Sequence, residues 1–212
     1  MAEKVDYKKK DRHLYFPPTH PVILSVPSMK FLAVEGNGSP QGEEYQQAIR
    51  LLYSTSFTIK MSRISGNSPN GYHEYVVPPL EGLWELGSSG FDFSHKEDWK
   101  WISLIRQPDF VTPQVLMWAK QEAARKKGDS MDFSRIWLIT LEEGLCVQMM
   151  HVGPYEDEPA SIEKIQTFLD QNRYRDLSLS GCRHHEIYLS DPRRTAPERL
   201  KTVLRHPVAP IV

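Results

Sequence analysis

A short segment near the end of the sequence, HHEIYLSDP at residues 184–192, carries the side chains best suited to acid–base chemistry. Its alternation predicts a β-strand, because successive side chains of a strand point to opposite faces. Ile187 would face the core, and His184, Glu186 and Tyr188 would share the other face. That face is either solvent-exposed surface or the wall of a cleft. In a cleft, the carboxylate could act as a general base and the phenol as a hydrogen-bond donor.

Aromatic side chains could form the walls of such a cleft. The sequence contains five tryptophans and nine tyrosines, more rings than a small core usually requires. We predict that Trp84 and Trp101 are walls that hold a flat ligand and exclude water. Tyr188, Tyr72 and Tyr75 are all candidate hydroxyl donors, and the sequence alone does not choose among them.

Neither a metal nor a cofactor is expected. His184 and His185 are adjacent, so on a strand they would point in opposite directions and could not ligate one ion together. Cys146 and Cys182 are far apart and form no CxxC pair, which favours buried reduced thiols in a cytoplasmic protein. The acidic run EDE at 156–158 is expected to stabilise the N-terminal end of a helix, and not to form a carboxylate pair.

The composition is typical of a soluble globular protein. The chain has 212 residues, of which 25% are charged and 40% hydrophobic, and its formal net charge is −1. No apolar run approaches the ~20 residues needed to span a bilayer, and the N-terminus has no apolar signal-peptide core. A nucleic-acid partner is not supported, because the net charge is close to zero and the basic run at residues 8–12 lies in an N-terminal arm expected to be solvated.

Hydrophobic periodicity and turn residues predict the secondary structure. The best-signalled helix has Thr112 as its N-cap, Pro113 at its first position and Gly128 after its last turn. The other predicted elements are strands at 29–36, 73–78, 80–86, 98–107, 135–141, 145–153 and 184–189, a helix at about 43–59, a helix carrying Ile162, Ile165, Phe168 and Leu169, and a short closing helix with a capping box at Thr195 and Glu198.

The order strand, glycine turn, helix, strand occurs twice, with Gly36 and Gly153 at corresponding places. We therefore predict an α+β fold made of two β-α-β-β repeats, at about 21–95 and 130–212, joined by a strand–helix segment. The repeats would form an antiparallel sheet with helices on one face. The other face would be free to form a ligand cleft between the halves. Residues 1–20 would form an extended arm.

Several segments together resemble the GyrI-like small-molecule-binding domain. The similarity extends over about residues 20–208, nearly the whole chain. Segments PPLEGLW, KEDWKW and QPDFVT further resemble the stand-alone members of this family, which include proteins described as cyclopropanoid cyclopropyl hydrolases. The segments that carry the resemblance are HVGPYEDEP (151–159), HHEIYLSDP (184–192), PPLEGLW (78–84), KEDWKW (96–101) and QPDFVT (107–112).

The resemblance implies one GyrI-like domain over residues 21–212, with duplicated SHS2-like repeats and a central cleft for flat, aromatic, often cationic compounds. The key polar residue of the family, a glutamate on the late strand, matches Glu186. In the hydrolase branch it would help water to open the strained cyclopropane of DNA-alkylating compounds. Family members that regulate transcription carry a helix-turn-helix unit ahead of this domain, and residues 1–20 are too short for one.

Three functions follow as hypotheses, and the first is favoured. The chain could hydrolyse cyclopropane-bearing alkylators, sequester aromatic or cationic compounds without turnover, or bind a topoisomerase as the gyrase-inhibitor member of the family does. Glu186 does not separate the first two, because a carboxylate also pairs with a cationic ligand. Its simplest alternative is an exposed strand carboxylate with no role. The sequence predicts no oligomeric state.

Overall fold

The fold is an α+β arrangement built on one antiparallel sheet, as predicted. The computed structural model describes residues 4–64, 66–85, 95–128, 131–178 and 183–211. Within these residues, the strands are β1 (Val22–Val26), β2 (Met29–Asn37), β3 (Leu80–Trp84), β4 (Lys100–Gln107), β5 (Trp137–Leu141), β6 (Gly144–Val152), β7 (Tyr174–Asp176), β8 (His184–Tyr188) and β9 (Lys201–Pro210). The α-helices are α1 (Tyr7–Lys10), α2 (Arg12–Tyr15), α3 (Glu43–Lys60), α4 (Pro113–Lys127) and α5 (Glu158–Asn172).

The strand order divides the sheet into two similar halves. The order is β1-β6-β9-β8-β3-β4-β2-β5, and β7 pairs with the end of β9. In each half a strand is followed by a long helix and two further strands of the main sheet (β2-α3-β3-β4 and β6-α5-β8-β9), and the last strand lies between the other two. In the second half the short strand β7 comes between α5 and β8. A duplicated unit would produce this order. The halves meet where β3 pairs with β8, and we call this pair of strands the seam.

The boundaries of the halves differ from those predicted. β4 was assigned to a connecting segment outside 21–95, but it lies inside the first half, between β3 and β2. The two halves also exchange edge strands: β1 pairs with β6 of the second half, and β5 pairs with β2 of the first half. The predicted ranges were wrong in this respect because strand partners, unlike helix caps, are not marked in the local sequence.

Local signals place the long helices where the sequence predicted them. The Thr112 hydroxyl oxygen accepts a hydrogen bond from the Val115 backbone N–H at 3.3 Å, and Pro113 is the first residue of α4. Gly128 ends α4 with a φ of +66°, a conformation that side chains disfavour. α3 and β2 also agree with their predicted bounds to within one residue. In the described part of the chain, no helix has the length and hydropathy required to cross a membrane.

Two predicted elements have a different structure. The closing helix predicted near Thr195 is a single 3-10 turn, Pro197–Arg199, and is followed by the ten-residue strand β9. The capping-box spacing is a local signal, whereas β9 forms because β6 and β8 pair with it on either side. The predicted strand at 73–78 is irregular except for a bridge between Val5 and Tyr75.

The N-terminal segment is not the extended arm predicted for residues 1–20. From Lys4 onward it forms α1 and α2, and Tyr7, Leu14 and Tyr15 are buried. These side chains belong to an apolar cluster that includes Phe31 of the sheet. The basic residues around them suggested a solvated tail, but burial of the interleaved apolar side chains outweighs that local preference.

Helices and the N-terminal segment cover opposite faces of the sheet. α3 packs over β2 and β4, and α5 packs over β6 and β9, on the face that carries Glu186 and Leu204. We call this the helix face. The opposite face carries Ile187 and Val203 and is covered by α1 and α2, so we call it the N-terminal face. The face predicted to be free is therefore occupied, and the candidate site lies on the helix face.

A buried ion network joins the two halves on the N-terminal face. His185 on β8 contacts Glu81 on β3 through Nε2 and Glu143 through Nδ1, both at 2.9 Å. Arg205 on β9 donates to Glu143 at 2.9 Å and to the backbone oxygen of Leu14 in α2 at 3.0 Å. The network thus connects β3, β8, β9 and the N-terminal segment.

We expect this network to make stability fall at alkaline pH. Burial alone would lower the pKa of His185, but the charges of Glu143 and Glu81 raise it to about 9. The protonated imidazole therefore stabilises the fold fully below its ordinary value of 6.5, and the contribution is lost as pH rises through about 9. The free energy of unfolding in urea should decrease over this window in the wild type and less in His185→Gln. Equal decreases in the two proteins would contradict the assignment.

Candidate functional site

The candidate site lies on the helix face of the seam. His184, Glu186 and Tyr188 share this face of β8, and Gly82 and Trp84 of β3 pair with Glu186 and His184. His184 is completely buried, and Glu186 is only 6% exposed. The interpretation of Glu186 as an exposed strand carboxylate is therefore wrong.

Polar contacts hold Tyr188 beside Glu186. The indole N–H of Trp84 donates a hydrogen bond to the Tyr188 hydroxyl oxygen at 2.9 Å. The same hydroxyl is a hydrogen-bond partner of the Glu186 side chain. Burial, and then the charge of Glu186, raise the pKa of Tyr188 well above its ordinary value. Tyr188 is thus a neutral phenol that can donate a hydrogen bond at neutral pH.

A second buried carboxylate, Glu158, lies next to Glu186. Glu158 is the first residue of α5 and is 5% exposed. Its side chain bonds to that of Thr202 on β9, while its Oε1 atom has no hydrogen-bond partner within the described structure. The sequence assigned the run at 156–158 to the helix terminus alone. That interpretation was wrong for Glu158, because the first turn of α5 lies against β8 and β9.

The two carboxylates are suited to different roles. Burial, and then the charge of Glu186, raise the pKa of Glu158 well above its ordinary value. Adjacent buried carboxylates do not both ionise easily, and the direction of this shift favours a neutral Glu158. Glu186 lies 3.0 Å from His184 Nε2 and accepts a hydrogen bond from the Tyr188 hydroxyl, contacts that suit it to act as the base. The pair therefore provides an acid and a base side by side.

Glu158, His184 and Glu186 also have ligand atoms that all lie within 4.8 Å of one another, close enough to hold a metal ion. His184 and His185, which the sequence excluded as joint metal ligands, do point to opposite faces, but His184 meets Glu158 and Glu186 instead. His184, however, uses Nε2 toward Glu186 at 3.0 Å and Nδ1 toward His206 at 2.5 Å. A metal would have to displace one of these contacts, so we interpret the cluster as a hydrogen-bonded acid–base group.

Aromatic rings border the Tyr188 hydroxyl. Tyr45 of α3 stacks on Trp84 with ring centroids 5.6 Å apart and meets Trp101 edge-on at 4.9 Å. Tyr155 lies edge-on to Tyr188 at 6.1 Å. Trp84 therefore borders the site directly, whereas Trp101 supports Tyr45 from the next strand. The sequence had placed Tyr45 only in the apolar stripe of its helix.

Tyr72 and Tyr75 lie away from the site, so the structure does not support the roles predicted for them. Both pack against Phe110 in the apolar cluster of the N-terminal face. The Tyr72 hydroxyl donates a hydrogen bond to the backbone oxygen of Lys60 at 2.6 Å, and Tyr75 is completely buried. Both line a surface cavity of about 180 Å³ that includes no residue of the seam. Tyr72 and Tyr75 are close to β3 in the sequence, but they do not lie on the helix face of that strand.

Gly82 leaves space that a side chain would close. A Cβ atom there would lie 2.9 Å from Nε1 of Trp84 and 3.0 Å from the hydroxyl of Tyr188. Gly82→Ala should therefore displace the Trp84–Tyr188 hydrogen bond and lower the free energy of unfolding by about 1–3 kcal/mol, the usual cost of overpacking. Urea unfolding and near-ultraviolet circular dichroism measure the two effects. Unchanged stability with an unchanged aromatic spectrum would show that the site is looser than this geometry indicates.

Comparison with known proteins gives the same family over nearly all of the chain. The model of the GyrI-like small molecule binding domain matches residues 19–209. A solved hydrolase from Listeria innocua is 46% identical with a TM-score of 0.89, and the alignment covers 97% of this chain and 100% of that one. A further structure of a Listeria innocua hydrolase is 46% identical with a TM-score of 0.92, covering 98% and 100%.

Other comparisons are consistent with this result. An uncharacterized conserved protein from Listeria innocua is 47% identical with a TM-score of 0.93, covering 97% of this chain and 100% of that one. The C-terminal domain of EcmrR, at 10% identity, a TM-score of 0.53 and coverage of 91% and 98%, shares the fold alone. No curated protein matches the sequence. The family match and the Listeria structures all extend over the seam, and the chain belongs to the GyrI-like small-molecule-binding family.

Proposed function

We propose that this protein is a cytoplasmic hydrolase that adds water to the strained cyclopropane of flat, aromatic, DNA-alkylating compounds and so detoxifies them. The observation that carries the proposal is the convergence of a buried base, Glu186, with two neutral donors, Tyr188 and Glu158, at an aromatic seam. The similarity to two proteins described as hydrolases supports turnover as the function.

The aromatic rings suit a flat ligand. Trp84 and Tyr45 already stack on each other, and Tyr155 stands edge-on at Tyr188. A planar ligand between such rings gains dispersion and is shielded from bulk water. Shielding matters because an activated cyclopropane would otherwise react with any nucleophile, and the site has to present only one water molecule to it.

The chemistry requires one base and one stabiliser of negative charge. Glu186 takes a proton from water as the oxygen of that water bonds to a ring carbon. The carbon–carbon bond of the cyclopropane breaks, and its electron pair turns the attached dienone into a phenolate. Glu158 can donate a hydrogen bond to the phenolate oxygen as charge develops there, and Tyr188 can do so once protonation of Glu186 releases its hydroxyl from that carboxylate. The phenolate takes a proton from solvent on release, and the proton on Glu186 returns to solvent.

Binding without turnover is the second candidate function. Aromatic rings beside two carboxylates also form a site for an organic cation, which would be held by cation–π attraction and by the charge of Glu186. The description of the family as small-molecule-binding favours this alternative equally. Turnover is therefore the measurement that separates the two functions.

The test is incubation of the wild type with a spirocyclopropyl-dienone in ¹⁸O-labelled water, followed by mass spectrometry. A labelled water adduct that forms faster than in buffer supports the hydrolase. Binding, seen as quenched tryptophan fluorescence, without an adduct supports sequestration, and the absence of both contradicts both. Glu163→Gln, an exposed carboxylate on α5, is the matched control and should behave as wild type. Activity that survives a metal chelator supports the interpretation of Glu158, His184 and Glu186 as a hydrogen-bonded group. Activity that the chelator removes and added metal restores contradicts that interpretation.

A further inference from the structure

A continuous chain of hydrogen bonds leads from Glu186 away from the seam. Glu186 Oε1 lies 3.0 Å from His184 Nε2. His184 Nδ1 lies 2.5 Å from His206 Nε2, and His206 Nδ1 lies 2.6 Å from Asp176 Oδ2. The chain crosses from β8 through β9 to β7. It ends at Asp176 on the short strand β7. The Asp176 side chain is 8% exposed, compared with 7% for Glu186 and 0–1% for the two imidazoles.

Burial gives a base at this position a use for such a chain. Glu186 is 6% exposed, and the two imidazoles are 0% and 1% exposed. A ligand at the seam would cover the side from which water reaches Glu186, so the chain offers the proton on Glu186 a second route to solvent. Glu158 does not offer that route, because it is itself buried and burial favours its neutral form.

The same three hydrogen bonds can be made with the protons in either of two arrangements. When Glu186 carries the proton taken from water, it donates to His184 Nε2, His184 Nδ1 donates to His206 Nε2, and His206 Nδ1 donates to Asp176. When one proton has shifted along each of the two inner bonds, Glu186 is ionised and accepts from His184 Nε2, and His206 is protonated on both nitrogens. A shift along the outer bond then brings a proton to Asp176, which releases it to solvent. The two imidazoles are left protonated at Nε2, and each has to return its proton to Nδ1 before the next turnover.

We propose that His184, His206 and Asp176 form a proton relay that carries the proton taken up by Glu186 to solvent near β7. The proposal rests on the proposed function, in which Glu186 is the base. None of the three residues has to touch the substrate. They act through Glu186 and are therefore positioning residues.

The groups at the two ends of the imidazole pair differ in their surroundings. Burial lowers the pKa of His184, which favours its neutral form. Although burial opposes its ionisation, hydrogen bonds from His206 and Ser178 hold the pKa of Asp176 below its ordinary value. An anionic Asp176 therefore faces His206 at the outer end of the chain. Other titratable groups act on the residues of this hydrogen-bonded chain from neighbouring elements. They are Glu158 of α5, Tyr155 just before α5, Tyr45 of α3, Tyr188 of β8, and His185, which points to the N-terminal face.

A first experiment needs no substrate. Nuclear magnetic resonance of ¹⁵N-histidine-labelled wild type should show His184 and His206 titrating together, with a strongly downfield proton between their rings. Asp176→Asn should abolish the coupled titration because it removes the anion that balances a cationic His206. Asp170→Asn, an exposed acid on α5, should leave it intact. Two independent titrations in the wild type would overturn the relay.

A second experiment measures proton return during turnover. In Asp176→Asn and His206→Gln, the first turnover should stay near the wild-type rate, while steady-state turnover falls by roughly tenfold or more. Added imidazole should restore part of the loss, and the solvent isotope effect should rise. Damage to the fold would slow the first turnover as well and would not respond to imidazole. Wild-type hydrolysis with unchanged steady-state rates in both variants would refute the relay alone, whereas absence of wild-type hydrolysis would refute the proposed function.

Discussion

Replacement of Glu186 by glutamine is expected to reduce kcat/KM for hydrolysis by about 10²- to 10⁴-fold, the usual contribution of a positioned base. Glutamine has nearly the same size, and its oxygen can still accept the hydrogen bond from His184 Nε2, which is 3.0 Å away in the wild type. It cannot take a proton from water. The contacts between Trp84 and Tyr45 do not involve residue 186, so ligand affinity should change by less than about threefold.

Steady-state kinetics and fluorescence titration measure these two quantities separately. Glu163→Gln removes one carboxylate from the exposed side of α5 and serves as the control. Hydrolysis by Glu186→Gln at the wild-type rate would exclude Glu186 as the base. A large loss of affinity with kcat retained would instead make Glu186 the partner of a cationic ligand.

Replacement of Arg205 by methionine is expected to lower the free energy of unfolding by about 3–5 kcal/mol, the cost of breaking a buried ion pair. Arg205 is completely buried and donates to Glu143 at 2.9 Å and to the Leu14 backbone oxygen at 3.0 Å. Methionine fills much of the same space but leaves both acceptors without this donor. The midpoint of thermal unfolding should fall by about 6–20 °C for a chain of this size.

The matched control is Arg199→Met, because the Arg199 side chain is 80% exposed and its ion pair with Glu198 is on the surface. It should change stability by less than about 0.5 kcal/mol. Limited proteolysis should also cut the N-terminal segment faster in Arg205→Met, since that segment loses its contact at Leu14. A stability within about 1 kcal/mol of wild type would show that Glu143 is satisfied by His185 alone.

The elements that could be predicted were those whose signals lie within the element itself. Thr112 and Gly128 mark the two ends of α4, and both act there as expected. The local sequence of β9 instead argues against a central strand, because it contains Pro207 and proline is rarely found in a strand in the interior of a sheet. It is nevertheless a central strand, and Pro207 pairs with Cys146 of β6. The pairing that overrides its local preference depends on residues more than fifty positions away.

The candidate site shows the same division between local and long-range information. Alternation along β8 was enough to place Glu186 and Tyr188 on one face, and the family resemblance singled out Glu186. Glu158 and Tyr45 were missed because each had a sufficient local explanation, as a helix-terminal acid and as part of an apolar stripe. Their convergence on Glu186 depends on where the first turns of α3 and α5 lie relative to β8, which the predicted placement of both helices on one face does not specify.

The pleat of β8 gives two adjacent residues separate tasks. His185 points to the N-terminal face, where it contacts Glu81 and Glu143, and Glu186 points to the helix face. Substitutions on the helix face can therefore accumulate without disturbing the bonds that join the halves. Under the proposed function, selection can change the ligand preference on one side of the strand while the other side keeps the framework constant. The alternation that makes β8 a strand thus separates the proposed ligand site from the bonds that hold the halves together.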